Sequence, residues 1–310
     1  MKLSIKRKIF IAGHNGMVGS AVLKHFKKKG YKNIITENKD RLNLLDQNKT
    51  EKFFRRVKPD CVVIAAARVG GILANQNYKA NFIYENLMIQ TNIIHSAYKI
   101  GVKKLIFLGS SCIYPKFSKQ PIKEDYLLTG KLESTNDAYS IAKIAGLKMC
   151  EAYSKQYGLN YICLMPTNLY GPNDNYDESK SHFFPALIKK VHEAKKNNRK
   201  EVTIWGNGKA KRELMYVDDL ADACEFFLRK RTSHSFINIG SGREKTIKGY
   251  AAFIMKKLGV KLKIKYDKKK PNGTPRKKVN YRLAKTYGWY SKYDLEEGFK
   301  ITYKDFLNKQ

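Results

Sequence analysis

The sequence predicts a doubly wound α/β fold, in which helices cover both faces of a parallel sheet. Three observations support this prediction. The first half alternates short apolar runs with longer amphipathic stretches, the runs are apolar at successive positions, and a glycine-rich turn follows the first of them. Because repeated β-α-β units connect by right-handed crossovers, these strands are expected to form one parallel sheet.

The order of elements in the first half follows from these patterns. Five runs rich in branched and aromatic residues predict strands at Lys8–Ala12, Asn33–Thr36, Cys61–Ala66, Lys104–Leu108 and Tyr161–Met165. Periodic stretches between them predict helices at Val18–Lys29, Gln47–Val57, Phe82–Lys99 and Ala138–Tyr157. The N-terminal apolar stretch is short and runs into the glycine turn, so it predicts a strand and not a signal peptide.

After Pro166 the alternation weakens, which indicates a second unit. A polar loop at Asn173–Lys180 is followed by a predicted helix from about His182 to Lys196. Further predicted elements are strands at Val202–Trp205, Phe236–Ile239 and Lys261–Tyr266, and helices at Val217–Leu228, Ile247–Leu258 and after Asp294. We therefore expect a first domain at 1–170 and a smaller α/β substrate domain at 171–310, with 217–240 returning to the main sheet.

Composition excludes several classes of protein. The chain has 310 residues, 61 Lys+Arg against 27 Asp+Glu, a formal net charge of +34 and a hydrophobic fraction of 43%. That hydrophobic fraction is too high for a disordered basic tail. No apolar run has the length of a membrane span, so no membrane association is expected. The five cysteines are widely spaced without a CxxC pair, and the histidines show no ligand spacing. We expect a cytoplasmic protein without disulfides or a metal site.

The positive charge suggests nucleic acid as one possible partner. Lysine and arginine concentrate at 189–212, with nine against two acids, and at 256–278, with eleven against one. Only Trp205 and Tyr266 are aromatic in these stretches, whereas single-strand binding surfaces interleave several aromatics. Both stretches lie in the predicted substrate domain, so we expect an anionic nucleotide there and no nucleic acid.

The turn after the first strand carries a phosphate-binding pattern of the Rossmann type. It reads G-x-x-G-x-x-G and leads into a predicted helix, whose N-terminus favours an anion. This position within a β-α-β series predicts a bound dinucleotide. The candidate residues are Gly13, His14, Asn15, Gly16, Met17, Val18 and Gly19. The other interpretation is a glycine turn that only permits close packing.

The segment after the second strand bears on the choice between NAD and NADP. An acidic residue there binds the ribose 2′-hydroxyl, whereas basic residues suit a 2′-phosphate. Glu37 is compatible with NAD, while Lys39 and Arg41 favour NADP. Because lysine is abundant throughout the chain, the basic pair favours NADP(H) without excluding NAD.

Tyr139 and Lys143 form the pattern Y-x-x-x-K, which places both side chains on one helical face. A nearby ammonium lowers the pKa of a phenol and suits it to proton transfer. The pattern also occurs at Tyr176, Tyr266 and Tyr281, so spacing alone does not identify a site. The pair at Tyr139 is distinguished by its helix, which follows a strand ending in Gly109-Ser110-Ser111-Cys112, where a parallel sheet binds ligands.

Six segments then carry a family resemblance: GHNGMVGS, LGSSCIYP, YSIAKIAG, MPTNLYGP, SHFFPAL and NGTPRK. They resemble the extended short-chain dehydrogenase/reductases over nearly the whole chain. More narrowly, they resemble the members that convert GDP-4-keto-6-deoxy-D-mannose to GDP-L-fucose with NADPH, by 3,5-epimerisation and 4-reduction. The resemblance implies a homodimer and a GDP-sugar substrate.

The resemblance also implies roles for individual residues. Tyr139 would donate a proton to the oxygen on C4 while NADPH delivers hydride, Lys143 would hold the nicotinamide ribose, and Ser110 would bind the carbonyl. Cys112 as base and His182 as acid would invert C3 and C5, which the 4-keto group acidifies. The alternative for Cys112 is a small buried side chain, and for His182 an ordinary residue at a helix start.

Further positions would bind the two ligands. Those expected at the cofactor are Leu108, Gly109, Pro166, Asn168 and Leu169, and those expected at the substrate are Lys190, Trp205, Arg212, Asn272 and Lys277. Trp205, Arg212 and Lys277 would hold the diphosphate part. Three positions depart from the family: Asn15 and Lys190 replace arginine, and Asn272 replaces aspartate.

Two other functions remain open at this point. One is another NDP-sugar 4-reductase or 4-epimerase with the same tyrosine chemistry; the presence of both Cys112 and His182 argues against a simple 4-epimerase. The other is a non-catalytic relative that senses a dinucleotide or binds nucleic acid, against which the intact Ser110, Tyr139 and Lys143 argue.

Overall fold

The computed structural model describes residues 4–177 and 181–310 and contains a central parallel sheet with a second, smaller group of strands. The strands are β1 Ile9–Ala12, β2 Ile34–Ile35, β3 Cys61–Ile64, β4 Lys104–Leu108, β5 Asn160–Pro166, β6 Asn168–Tyr170, β7 Glu201–Trp205, β8 Lys211–Tyr216, β9 Phe236–Ile239, β10 Glu244–Thr246, β11 Lys263–Asp267 and β12 Arg276–Lys277. The helices are α1 Met17–Lys28, α2 Gln47–Val57, α3 Ile72–Asn77, α4 Lys79–Lys99, α5 Asp137–Tyr157, α6 Phe183–Lys196, α7 Val217–Arg229, α8 Ile247–Lys257, α9 Arg282–Thr286 and α10 Leu295–Leu307.

The main sheet has six strands in the order β2-β1-β3-β4-β5-β9, and all of its pairs are parallel. The order reverses between β1 and β3, which is the switch point where doubly wound sheets bind ligands. The predicted fold class is confirmed. Phe236–Ile239 forms β9 at the edge of this sheet, beside β5.

Alternate side chains of the buried strands enter two separate cores. Ile9 and Ile11 of β1 pack with α1 and α7 on one face. Phe10 and Ala12 of the same strand pack with α2, α4 and α5 on the other. All four residues of β1 are apolar because helices cover both of its faces.

A third core holds the smaller unit together. In it β8 lies between β10 and β12 and also pairs with β6, while β7 and β11 form a separate parallel pair. Helices α6, α8 and α10 contribute the aromatic and aliphatic residues of this core, among them Phe184, Tyr250 and Phe299. The chain leaves the main sheet at β5 and enters β6 two residues later, so the two groups of strands meet along β5, β6 and β8.

The sequence predictions differ from the structure mainly in the smaller unit. The strand β8 was not predicted, because its sequence KRELMY begins with two charged residues and places the charged Glu213 inside the protein. The short strands β6, β10 and β12 and the helices α3 and α9 were also missed. In the predicted loop 173–180, residues 178–180 lie outside the described residues.

Glu213 explains how a charged residue is accommodated in this core. Its side chain is fully buried and accepts hydrogen bonds from the backbone N–H of Gly242 at 2.6 Å and of Val279 at 2.9 Å. Burial raises the pKa of Glu213, whereas these backbone bonds act in the opposite direction. The carboxyl therefore joins β8 to two segments that are distant in sequence, one of which follows β12 directly.

Within the described residues, no helix combines the length and hydropathy needed to cross a membrane. The same part of the chain contains no group of three or more His, Cys, Asp or Glu side chains arranged to hold a metal ion.

Candidate active site

A cavity of about 330 Å³ opens where the carboxyl ends of β1, β4 and β5 face the smaller unit. All five candidate catalytic residues line it: Ser110, Cys112, Tyr139, Lys143 and His182. The five candidate substrate residues line it too: Lys190, Trp205, Arg212, Asn272 and Lys277. Side chains that are up to 167 positions apart in the sequence, counted from Ser110 to Lys277, therefore share one space.

The glycine turn at one end of this cavity has the geometry of a phosphate site. Gly13 has a φ of +85°, and a Cβ there would lie 2.6 Å from the backbone of Ala66. A Cβ on Gly19 would lie 2.0 Å from the carbonyl oxygen of Gly13, so the turn and α1 approach each other as only glycine allows.

The start of α1 fits an anion. No side chain caps this end of the helix, and its first turn contains no acidic residue. Its backbone N–H groups and the positive end of the helix dipole are thus available to a pyrophosphate. The residues present therefore fit a dinucleotide at this position.

The candidate cofactor residues divide into two sets. Met17, Val18, Leu108, Gly109, Lys143, Pro166, Asn168 and Leu169 line the cavity itself. Gly13, His14, Asn15, Gly16, Gly19, Lys39 and Arg41 do not line it, and belong to the turn and to the segment after β2. The Asn15 amide donates to Oδ1 of Asn38 at 2.9 Å, which joins these two segments. Lys39 and Arg41 are exposed beside that contact.

Lys143 and Tyr139 lie in the first turns of α5. The sequence predicted that the lysine would lower the pKa of the tyrosine, but the structure does not show this effect. The Nζ of Lys143 donates to the carbonyl oxygen of Leu108 at 2.8 Å and lies 5.8 Å from the centroid of the Tyr139 ring. Burial lowers the pKa of Lys143 to about 8. Burial, together with the nearby Cys112, raises the pKa of Tyr139, while a hydrogen bond with Ser110 opposes the rise.

The expected lowering of the tyrosine pKa is therefore wrong for the protein alone. The physical reason is that desolvation of the phenolate outweighs the attraction of an ammonium that lies over the ring and binds a backbone carbonyl. At neutral pH Tyr139 is protonated, which is the form that a proton donor requires.

Cys112 has polar partners on several sides. The Nδ2 of Asn136 and the Nζ of Lys277 each donate to its Sγ at 3.2 Å. Its backbone N–H donates to Oγ of Ser110 at 3.2 Å, and its carbonyl accepts from Ser140 at 2.9 Å. Burial alone would raise the thiol pKa, but the charge of Lys277 and side-chain hydrogen bonds with Ser110, Lys277 and Asn136 lower it below its usual value. Such a thiol is unlike the fully buried Cys61, Cys163 and Cys224, whose pKa values are raised.

His182 is the residue that precedes α6, and its side chain makes no capping hydrogen bond. Its side chain lines the cavity and is exposed to the open space there. Partial loss of hydration within the cavity and the charge of Lys277 lower its pKa, which favours the neutral imidazole. His182 therefore faces the same space as Cys112 and Tyr139.

At the other end of the cavity, two lysines lie near the ring of Trp205, with Lys190 Nζ 5.6 Å and Lys270 Nζ 5.3 Å from its centroid. Arg212 donates to the carbonyl of Asn272 at 3.3 Å. These cationic and aromatic groups suit a nucleotide diphosphate.

Sequence reasoning missed several residues of the cavity wall. Two groups stand out: Val69, Gly70, Gly71, Ile72 and Asn75 after β3, and Glu133, Thr135 and Asn136 before α5. Asn75 Nδ2 donates to the carbonyls of Gly70 and Gly71 at 2.9 and 3.0 Å and so shapes the first segment. The rule that ligands bind at strand ends would have indicated the loop after β3, whereas nothing in the local sequence marks Glu133 or Asn136.

The fold and this cavity define a dinucleotide-binding α/β enzyme. A family model described as the NAD dependent epimerase/dehydratase family matches residues 9–240, and the chain belongs to that family. The resemblance to the extended short-chain dehydrogenase/reductases is thereby confirmed.

Three individual proteins show how specific the similarity is. The chain is 47% identical to the GDP-L-fucose synthase of Escherichia coli K12, with 98% of each chain covered. It is 51% identical to GDP-L-fucose synthase 1 of Arabidopsis thaliana, over 97% of this chain and 93% of that one. A solved structure described as a GDP-mannoheptose C4 reductase from Campylobacter jejuni with NADP bound is 36% identical, with a TM-score of 0.90 and coverage of 98% and 99%.

The geometry of the glycine turn predicts the effect of Gly19→Ala. The added methyl group would lie 2.0 Å from the Gly13 carbonyl oxygen, so the turn has to open. We expect NADPH to bind at least about tenfold more weakly, measured by quenching of protein fluorescence. Gly130→Ala is the matched control, because its methyl group would meet Pro115 at an ordinary 3.4 Å. Unchanged NADPH affinity in a folded Gly19→Ala protein would contradict the assignment of the turn.

Proposed function

We propose that the protein converts GDP-4-keto-6-deoxy-D-mannose to GDP-L-fucose by 3,5-epimerisation followed by NADPH-dependent 4-reduction. The observation that carries this proposal is the content of one cavity. A protonated tyrosine with a serine and a lysine, as in carbonyl reductases, lies beside a low-pKa cysteine and a histidine, as proton transfer at carbon requires. The similarity to two relatives named GDP-L-fucose synthase, at 47% and 51% identity, supports the proposed substrate and product.

Cofactor binding is proposed for the glycine turn, the start of α1 and the ends of β4 and β5. The turn would hold the pyrophosphate, with Lys39 and Arg41 near the adenosine ribose. Leu108, Gly109, Pro166, Asn168 and Leu169 would surround the nicotinamide. NADPH, when bound there, supplies the hydride for C4.

In the reduction, the phenol of Tyr139 donates its proton to the oxygen on C4. Ser110, which lies at the end of β4, would bind the same oxygen and hold the carbonyl against the tyrosine. Lys143 would contact the nicotinamide ribose, and a ribose hydroxyl would then share the ammonium with the Leu108 carbonyl. The raised pKa of Tyr139 keeps it in the acid form until the oxygen becomes basic.

In the epimerisation, one group removes a proton from the carbon and another returns a proton on the opposite face. The 4-keto group acidifies C3 and C5 alike, so the same pair of residues can serve both. Cys112 suits the base, because its lowered pKa increases the thiolate fraction at neutral pH. The neutral state of His182 opposes its assignment as the acid in the protein alone; binding of an anionic diphosphate raises a histidine pKa and favours that role.

The GDP part of the substrate is proposed to lie along the smaller unit. Trp205 provides an aromatic face, and Arg212 and Lys190 provide positive charge for the diphosphate. Asn272 lies at the same end, where its Oδ1 accepts a hydrogen bond from the backbone N–H of Asn207 at 2.8 Å. The substrate domain accordingly corresponds to 171–310, apart from the segment 217–240, and the cofactor domain to 1–170.

The location and the assembly of the protein are also proposals. All five cysteines are free, which supports the cytoplasm as its compartment. A homodimer is supported by apolar side chains that are exposed on two adjacent helices, Tyr84 on α4 and Ile141 on α5.

The proposal is tested by incubating the purified protein with GDP-4-keto-6-deoxy-D-mannose and NADPH, following the loss of NADPH absorbance and identifying the sugar by NMR. We expect NADPH oxidation and GDP-L-fucose. A 4-reduced sugar that retains its configuration at C3 and C5 would favour a simple 4-reductase, the activity named for the Campylobacter structure. Absence of turnover together with salt-dependent binding of DNA or RNA would favour the non-catalytic alternative.

Replacement of the cysteine separates the two half-reactions. We expect Cys112→Ser to slow the exchange of the C3 proton with D2O by about a hundredfold, because a serine hydroxyl is a far weaker base precursor than this thiol. NADPH binding should be unchanged. Tyr139→Phe is the reciprocal control, expected to lose reduction and retain the exchange. Loss of reduction alone in Cys112→Ser would show that the role of Cys112 is assigned wrongly.

A further inference from the structure

Lys277 was expected at the diphosphate, but its ammonium contacts the thiol of Cys112. Nζ lies 3.2 Å from Sγ, within the cavity that both residues line. The other side-chain partners of the thiol among the described residues, Asn136 Nδ2 and the Ser110 hydroxyl, are uncharged. Lys277 is therefore the cation in direct contact with the proposed base.

The backbone around Lys277 is held from both sides. Lys277 pairs with Arg212 as part of β12 and β8. The amide of Gln120 bonds to both neighbours, since its Nε2 donates to the Arg276 carbonyl at 3.0 Å and its Oε1 accepts from the Lys278 N–H at 3.0 Å. Two residues further on, Val279 is bound by the buried Glu213 carboxyl. Because these contacts constrain the backbone, the side chain of Lys277 is held in a fixed direction, toward the thiol of Cys112.

Other ionisable groups also act on this thiol. Arg212 interacts favourably with the Cys112 charge, although its own position is fixed by the carbonyls of Lys211 and Asn272. Tyr139 lies close enough for a Cys112 thiolate to oppose ionisation of its phenol. His182 is neutral, and the buried Glu133 is paired with Lys116 at 3.1 Å. Of these groups, Lys277 alone both carries a charge and donates to the sulfur.

We infer that Lys277 is the positioning residue that holds Cys112 as a thiolate, and that the diphosphate is bound by the remaining cations of the cavity. An ammonium at hydrogen-bond distance stabilises the charged form of a thiol against the cost of burial. The catalytic meaning of the thiolate, as base at C3 and C5, rests on the function proposed above. The electrostatic relation between the two side chains does not.

The state of Cys112 can be measured without substrate. The other four cysteines are fully buried within the two apolar cores that flank the main sheet, whereas Cys112 faces the cavity. Iodoacetamide reacts with the thiolate, so the rate of Cys112 alkylation against pH reports the thiol pKa. Mass spectrometry of the digested protein assigns the modification to Cys112.

We expect Lys277→Met to move the midpoint of this pH profile upward by about one pH unit or more, so that alkylation near pH 7 slows about tenfold while the rate at high pH is unchanged. Lys277→Gln should behave in the same way and serves if the methionine variant folds poorly. Lys277→Arg should retain most of the low midpoint. Lys278→Met is the matched control: it removes the same charge at the next residue, directly after β12, where the lysine acts on Glu213 and Glu244. It should leave the profile of Cys112 unchanged.

The inference is overturned if Lys277→Met leaves the midpoint where it is, if Lys278→Met shifts it equally, or if Lys277→Arg behaves like the methionine variant. If Lys277→Met weakens GDP binding and leaves the alkylation profile unaltered, Lys277 binds the diphosphate, as the sequence predicted. Failure of the proposed function has a different signature, since the wild-type protein would then neither exchange nor reduce the 4-keto sugar while the dependence of Cys112 alkylation on Lys277 persisted.

Discussion

The site depends on the register of β4 and β5, whose carboxyl ends lie side by side in the main sheet. Leu108, the last residue of β4, is paired with Leu164, and its carbonyl receives the ammonium of Lys143 from α5. Together with the bond from the Ser140 hydroxyl to the Cys112 carbonyl, this hydrogen bond holds the helix that carries Tyr139 against the strand that precedes Ser110. A shift of the helix by one residue would rotate the tyrosine by about 100° and remove it from the cavity.

The smaller unit completes the site because it contributes cationic side chains to the cavity at the carboxyl edge of the main sheet. Its central strand β8 presents Arg212 to the cavity and buries the adjacent Glu213, whose carboxyl accepts backbone hydrogen bonds from the segments around Gly242 and Val279. The position of Lys277, and through it the ionisation of Cys112, thus depends on a buried acid that has no direct contact with the cavity. The net charge of +34 does not explain this arrangement. The role of Lys277 follows from its contact with Cys112 and not from the large number of lysines in the chain.

The sequence predicted the main sheet closely, because strands covered on both faces and helices with one apolar face leave clear periodic patterns. Phe236–Ile239 was placed to the residue, and the bounds of β4 were correct. It did not predict β8, whose charged start resembles a loop. Nor did it predict the partners of Cys112 or the raised pKa of Tyr139, because both follow from distances and desolvation that arise only when remote segments pack together. The NGTPRK motif pointed to Lys277 as a diphosphate ligand, whereas its contact with Cys112 follows from the pairing of β12 with β8.

The central claim is that one cavity carries out proton exchange at two carbons and hydride transfer at a third. It is tested most directly by running the complete reaction in D2O with unlabelled substrate and NADPH, and then analysing the product by NMR. The account predicts GDP-L-fucose with deuterium at C3 and C5 and protium at C4, because solvent exchange occurs at the first two positions and the hydride comes from the cofactor. A 4-reduced product without deuterium at C3 and C5 would contradict it.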